Sequence, residues 1–96
     1  MEEKPLPAYF GEWLKRRRKE LDLTQAELSQ RVGCSLSSLR KIEMGERRPS
    51  KQLAGLLAKS LEIPSEYQSV FIKVARGETN IERLRSPMDV HAADES

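Results

Sequence analysis

The chain of 96 residues has one cysteine, Cys34, and one histidine, His91. A single thiol cannot form an intramolecular disulfide, which suits the reducing cytoplasm. Neither residue has the Cys/His companions that a zinc site requires, and His91 is the only imidazole that a Ser-His-Asp triad could recruit. A Gly-rich phosphate loop and a nucleophile elbow are also missing. We therefore expect no metal, no cofactor and no enzymatic activity.

Long apolar runs, aromatic residues and β-branched residues are scarce as well. No run approaches the roughly 18 apolar residues of a membrane span, and the start MEEKPLPAY lacks the apolar segment of a secretory signal. Aromatic residues make up 5% of the chain, too few with the β-branched ones to suggest a sheet. The length suffices for one small core. These absences predict a single all-α domain in the cytoplasm, without a membrane contact.

Charged residues are plentiful, at 33% of the chain, and their signs are unevenly distributed. Residues 1–77 contain 15 Lys/Arg against 10 Asp/Glu, a net charge of +5, whereas residues 78–96 contain 2 against 5, a net charge of −3. The basic part suits a polyanionic partner. The acidic end is polar and contains Pro87, which favours a flexible tail. We therefore place a domain at 8–77 and a flexible tail or linker at 78–96.

Apolar residues recur at three- and four-residue spacing over five segments, which predicts five short helices. The first covers about 8–21. The fourth covers about 51–61, begins after the cap Ser50 and has an inner stripe of Leu53, Leu56, Leu57 and Leu61. The fifth follows Pro64, with Ser65 as its expected cap.

The second and third helices lie within residues 23–45, LTQAELSQRVGCSLSSLRKIEMG. Thr24 and Glu27 have the spacing of a capping box at the start of the second helix. Gly33 occurs where the chain needs a left-handed residue to leave that helix. Helix, short glycine-containing turn and helix is the helix-turn-helix arrangement.

The third helix of the chain has two contrasting faces. Ser35 or Ser37 can cap it, and Gly45 ends it. Leu39 and Ile42 face inward by their spacing. The opposite face is polar and consists of Ser37, Ser38, Arg40 and Lys41. This polar face is the candidate functional surface.

At these positions the sequence resembles the helix-turn-helix domain of the Xre and phage-repressor family of DNA-binding regulators. The residues that carry the resemblance are Leu23-Thr24-Gln25, Glu27-Leu28, Val32-Gly33, Ser35, Leu39, Lys41-Ile42-Glu43 and Gly45. Arg18 upstream and Arg47-Arg48-Pro49 downstream make the match more specific than a bare helix-turn-helix pattern. The resemblance extends from about Phe10 to about Ala75 and implies a five-helix, phage-repressor-like fold.

The resemblance also implies which residues read DNA. The recognition helix, about 35–44, enters the major groove, and the base-reading positions correspond to Leu36, Ser37 and Lys41. Lys41 can donate to guanine O6/N7, and Leu36 can contact a thymine methyl group. Leu36 departs from the family pattern, in which this position is commonly polar or basic. The same DNA-binding surface includes Ser35, Ser38 and Arg40.

Phosphate contacts are implied on both sides of the recognition helix. Gln25 matches the family position where the side chain and the helix N terminus meet a phosphate. Arg47 and Arg48 follow the recognition helix on a loop and are placed for backbone contacts. The alternative interpretation of these two arginines is ordinary exposed loop charge.

Arg18 has a different implied role. It falls on the apolar face of the first helix, where an unpaired charge costs several kcal/mol. The family's equivalent partner is Glu43. The resemblance therefore implies a structural salt bridge between the first helix and the recognition helix.

One such domain reads few base pairs, so the resemblance suggests a homodimer on two half-sites about one helical turn apart. The helix from Tyr67 to Val74 is the candidate dimer surface. The favoured hypothesis is a sequence-specific transcription regulator of double-stranded DNA. The alternative is a protein-interaction module such as an antitoxin, which an exposed Ile72 and an ordering tail would favour. Members of the family often carry further domains, so the chain is either a free-standing regulator or part of a longer one.

Overall fold

A computed structural model of the chain describes residues 8–84 and contains five α-helices. They are α1 (Phe10–Glu20), α2 (Gln25–Val32), α3 (Leu36–Glu43), α4 (Lys51–Ser60) and α5 (Ser65–Ala75). A single helical turn over 82–84 follows α5, and no strand occurs in this described part. The prediction of an all-α, five-helix fold is confirmed. Within the same residues, no helix combines the length and the apolar character that a membrane crossing needs.

Side chains cap α2, α3 and α4 where the sequence predicts. Thr24 Oγ1 accepts the Glu27 N–H at 3.0 Å, and Glu27 Oε1 accepts the Thr24 N–H at 2.8 Å, which completes a capping box. The hydroxyls of Ser35 and Ser50 each accept the N–H of the third residue of their helix, at 3.0 and 3.1 Å. These bonds satisfy N–H groups that a helix leaves without internal partners.

Two details of α4 and α5 differ from the sequence prediction. Pro64 rather than Ser65 is the N-cap of α5, and no side chain caps this helix. Leu56 is 41% exposed and does not belong to the inner stripe of α4. The buried side is formed instead by Ala54, Leu57, Ala58 and Leu61. At 3.6 residues per turn, these four positions share one face, and Leu56 lies beside it.

Three aromatic rings join α1 to α5 at the centre of the fold. The Phe71 ring centroid lies 5.4 Å from that of Phe10 and 5.7 Å from that of Trp13. Phe71 is fully buried and Trp13 is 7% exposed. Around them pack the fully buried side chains of Leu14, Leu28, Leu39, Leu57, Leu61 and Leu84. Trp13 is therefore a core residue.

Gly11 lets α1 approach the C-terminal end of α3 directly. A Cβ at this position would overlap the backbone carbonyl oxygens of Ile42 and Glu43. Any side chain would push the two helices apart, since both neighbouring atoms belong to the backbone. The end of the third helix is therefore held against α1 at a distance that only glycine allows.

The folded part extends beyond Gly77, where the sequence analysis placed the end of the domain. Leu84 is fully buried, and Ile81 packs against the same core. Gly77 adopts a left-handed conformation with φ 76°, and the Glu78 N–H donates to the Lys73 carbonyl at 2.8 Å. This reversal sends the chain back across the domain, so that a leucine assigned to the tail reaches the interior. The remainder of the predicted tail, 85–96, lies outside the described residues.

Candidate nucleic-acid interface

The turn between α2 and α3 sets the orientation of α3 relative to α2. Gly33 ends α2 in the left-handed conformation, with φ 73° and ψ 32°. Ser35 then caps α3 only two residues later. Burial raises the pKa of the Cys34 thiol between them, an effect that the nearby Arg47 charge opposes. The turn is therefore short and fixed by glycine geometry, a half-buried thiol and a serine cap.

The two faces of α3 are in different environments. Leu39 is fully buried and Ile42 is 2% exposed, and both pack in the core with Leu28 and Val32 of α2. On the other side Ser37, Arg40 and Lys41 are exposed, and Leu36 and Ser38 are half-buried. Core packing therefore fixes the position of α3 against the rest of the domain, with its polar side chains towards solvent.

Four cations extend from α3 into the loop that follows it: Arg40, Lys41, Arg47 and Arg48. All four are exposed, and none forms an ion pair within residues 8–84. Arg47 Nη1 donates to Ser38 Oγ at 3.4 Å, which brings the loop alongside the helix. Arg47 is therefore brought next to α3, and these four cations have no carboxylate partner within residues 8–84.

A buried ion pair supports this surface from behind. Arg18 Nε and Nη2 donate to the two carboxylate oxygens of Glu43 at 2.8 and 3.2 Å. The two side chains are 8% and 3% exposed. Arg18 Nη1 also donates to the Leu23 carbonyl oxygen at 2.8 Å. The salt bridge that the resemblance implies is present, and it joins α1 to the last residue of α3 through a bidentate contact.

Gln25 takes part in the same network, which the sequence analysis did not anticipate. Its Nε2 donates to Glu43 Oε1 at 3.0 Å. No local pattern relates Gln25 to Glu43, because the contact depends on how α2 packs against α3. The carboxamide oxygen of Gln25 is not used in this bond.

Two short helices joined by a tight glycine turn, with one face of the second helix buried and the other cationic, define a helix-turn-helix domain. A family model described as helix-turn-helix matches residues 14–68, more than half of the chain. The chain belongs to the Xre-like helix-turn-helix family of DNA-binding regulators.

A curated relative comes from Rhodospirillum rubrum, where it is named an uncharacterized transcriptional regulator in the ATPase CF(0) region. The two sequences are 34% identical over 71 residues, which cover 74% of this chain and 64% of the relative. The chain thus spans less than two thirds of the length of that protein. No solved structure matches the chain.

Proposed function

We propose that the protein is a sequence-specific transcription regulator that inserts α3 into the major groove of double-stranded DNA. The observation that carries the proposal is the division of α3 into a buried apolar face and an exposed polar face. A recognition helix needs this division, because side chains must reach base edges while the fold holds the helix in place.

Base reading is assigned to the exposed and half-buried residues at the outer side of α3. Lys41 donates to guanine O6/N7, the commonest type of specific major-groove contact for a cation. Ser37 lies one turn earlier on the same face and reaches an adjacent base edge. Leu36 offers an apolar contact to a thymine methyl group. Ser35 and Ser38 flank these side chains at the start of the helix.

Phosphate binding is assigned to residues around the reading face. Arg40, Arg47 and Arg48 supply charge, and such contacts position a protein on DNA without carrying sequence information. The carboxamide of Gln25 is already oriented by its bond to Glu43. With the N terminus of α2, it forms the contact on the other side of the turn.

A homodimer on two half-sites completes the proposal. One α3 contacts only a few base pairs, and a second copy about one helical turn away supplies the missing discrimination. On α5, the candidate dimer surface, Tyr67, Val70 and Ile72 are half-buried and pack against the core. This helix therefore offers little exposed apolar area to a second copy.

The test is selection of bound duplexes from a random library, followed by titration at two salt concentrations. We expect one enriched motif with two related halves, and a log-log salt dependence with a slope of about −0.9 per neutralised phosphate. Bound duplexes without a shared motif would contradict sequence-specific regulation. Absence of any DNA binding would favour the protein-interaction alternative, although the half-buried Ile72 is not the exposed anchor which that alternative requires.

A further inference from the structure

A second basic surface lies outside α3, in a depression of about 340 Å³ between the start of α4 and the end of α5. It is lined by Lys51, Ser69, Ile72, Lys73, Arg76 and Glu78. Three of these six side chains are cationic and one is acidic. No local sequence pattern marks this cluster, because its members are separated by up to 27 positions along the chain.

The depression is continuous with the loop that carries Arg47 and Arg48. Arg76 Nη1 donates to the Pro49 carbonyl oxygen at 3.2 Å. The guanidinium group of Arg48 rests against Gly77, in the space that a Cβ would occupy. The end of α5 is thus joined directly to the loop after α3. The positive charge therefore continues from the proposed DNA-binding surface to Lys51 and Lys73.

Little of this charge is neutralised within the described residues. Arg76 and Glu78 form an exposed ion pair at 3.5 Å, with side-chain exposures of 37% and 54%. Lys51 and Lys73 are exposed and form no ion pair in the same part of the chain. The depression therefore keeps a net positive charge.

Lys51 lies at the end of α4 where the helix dipole does not favour a cation. It is the first residue of α4, and a cation at a helix N terminus opposes the helix dipole. A bound anion would compensate the charge of Lys51, and the same helix end favours an anion.

We propose that Lys51, Lys73 and Arg76 bind a backbone phosphate of DNA, next to the phosphates contacted by Arg47 and Arg48. This inference rests on the DNA-binding function proposed above. Lysine ammonium groups bind phosphate oxygens as point charges, and the exposed Ser69 hydroxyl adds a donor of the kind that often contacts DNA phosphates. The protein therefore contacts a longer stretch of DNA than α3 and its loop can reach.

The test compares two double variants with the same charge change. Lys51→Gln/Lys73→Gln removes two cations from the depression. Lys15→Gln/Lys19→Gln removes two exposed cations from α1, where Glu12 and Glu20 line the same surface. We expect the first variant to lower the salt slope on the selected duplex by up to about 0.9, the value for one neutralised phosphate. The second should leave it unchanged. Arg76 is left intact because it also holds Pro49 in place.

Ethylation interference locates the contact on the DNA. In the wild type, we expect interfering phosphates beyond those that disappear in Arg47→Ala. These additional positions should disappear in Lys51→Gln/Lys73→Gln and persist in Lys15→Gln/Lys19→Gln. An unchanged pattern and slope in the first variant would overturn the inference while leaving the DNA-binding function intact. If the wild type selected no duplex at all, the proposed function itself would fail.

The depression could instead bind a free phosphate ion, which offers the same oxygens as a DNA phosphate. Amide shifts are followed by NMR during titration with inorganic phosphate alone. If residues lining the depression saturate but the interference pattern on DNA is the same in wild type and variant, the depression is a site for a small anion and the assignment to DNA is wrong. Shifts that accompany a changed interference pattern support it.

Discussion

Two basic regions of the molecule differ in whether their cations have partners: the run on α1, and α3 with the loop that follows it. The run from Lys15 to Lys19 on α1 is the densest, yet three of its cations have partners within the protein. Arg16 pairs with Glu12 at 3.5 Å, Arg17 donates to the Leu61 carbonyl at 3.0 Å, and Arg18 is buried against Glu43. The cations of α3 and its loop are fewer, but they form no ion pairs within residues 8–84. Availability for a ligand depends on pairing rather than on charge density along the chain.

The largest expected effect comes from removing the partner of the buried α1 cation. Glu43→Ala leaves Arg18 uncompensated and should lower the free energy of unfolding by about 3–5 kcal/mol. Replacing Arg18 and Glu43 together by apolar residues should recover part of this loss. Urea denaturation of the single and double variants measures both effects. A coupling energy below about 0.3 kcal/mol would show that the pair does not act as a unit.

Next in size is the loss of one reading cation on α3. Lys41→Ala should weaken binding to the selected duplex by about 1–3 kcal/mol and relax the preference at one base pair. Binding to random duplexes should change little, and the fold should be as stable as the wild type.

Leu39→Ala is the matched control on the opposite face of α3. It should destabilise the domain by about 2–5 kcal/mol, because it leaves a cavity in the core. Selection with both variants, together with thermal unfolding, separates the two effects. An unchanged selected motif for Lys41→Ala would contradict the role given to this residue.

A smaller effect should distinguish the paired and unpaired arginines directly. Arg47→Ala should lower the salt slope by about 0.9, because one phosphate contact is lost. It should do so equally on selected and random duplexes. Arg16→Ala removes the same charge from α1 and should leave the slope unchanged, since Arg16 is paired with Glu12. Equal salt slopes for Arg47→Ala and Arg16→Ala would show that the two arginines do not differ in their contact with DNA.

The smallest effect concerns Glu27, whose exposed carboxylate caps α2. Hydrogen bonding to the Thr24 N–H holds the pKa of Glu27 below its ordinary value of 4.5. Because the pKa is lower in the folded state, the ionised Glu27 carboxylate stabilises the fold, and this stabilisation is fully present above the pKa of the unfolded chain. It is lost as the pH falls through the folded pKa. The Tm advantage of wild type over Glu27→Gln should therefore shrink in acid. A constant difference across that range would show that the charge of Glu27 is not involved.

Local patterns predicted the helices and three of their caps, because capping and helical spacing depend on neighbours in the chain. Thr24, Ser35 and Ser50 each occupy the position that their sequence context indicates. Leu56 was assigned to the core because leucine is apolar, but Ala54 and Ala58 lie on the buried face of α4 and Leu56 lies beside it. Leu84 was assigned to the tail because nothing local shows that the chain turns back at Gly77.

In the candidate interface, too, features that depend on neighbours in the chain could be predicted and features that depend on tertiary packing could not. The exposed face of α3 could be predicted from its spacing and from the family resemblance. The bond between Gln25 and Glu43 and the cluster of Lys51, Lys73 and Arg76 could not, because each joins residues from separate helices. Such contacts depend on tertiary packing, for which a single sequence contains no periodic signal.

The close approach of α1 to α3 at Gly11 has a consequence for how the protein can change its target. Because the end of α3 rests on α1 through backbone atoms, its orientation does not depend on the side chains at positions 37 and 41. Exchanging those two residues for others of similar size should therefore move the preferred DNA sequence without repacking the domain. If α3 reads DNA as proposed, one or two surface substitutions on it should be enough to change the operator that the protein prefers.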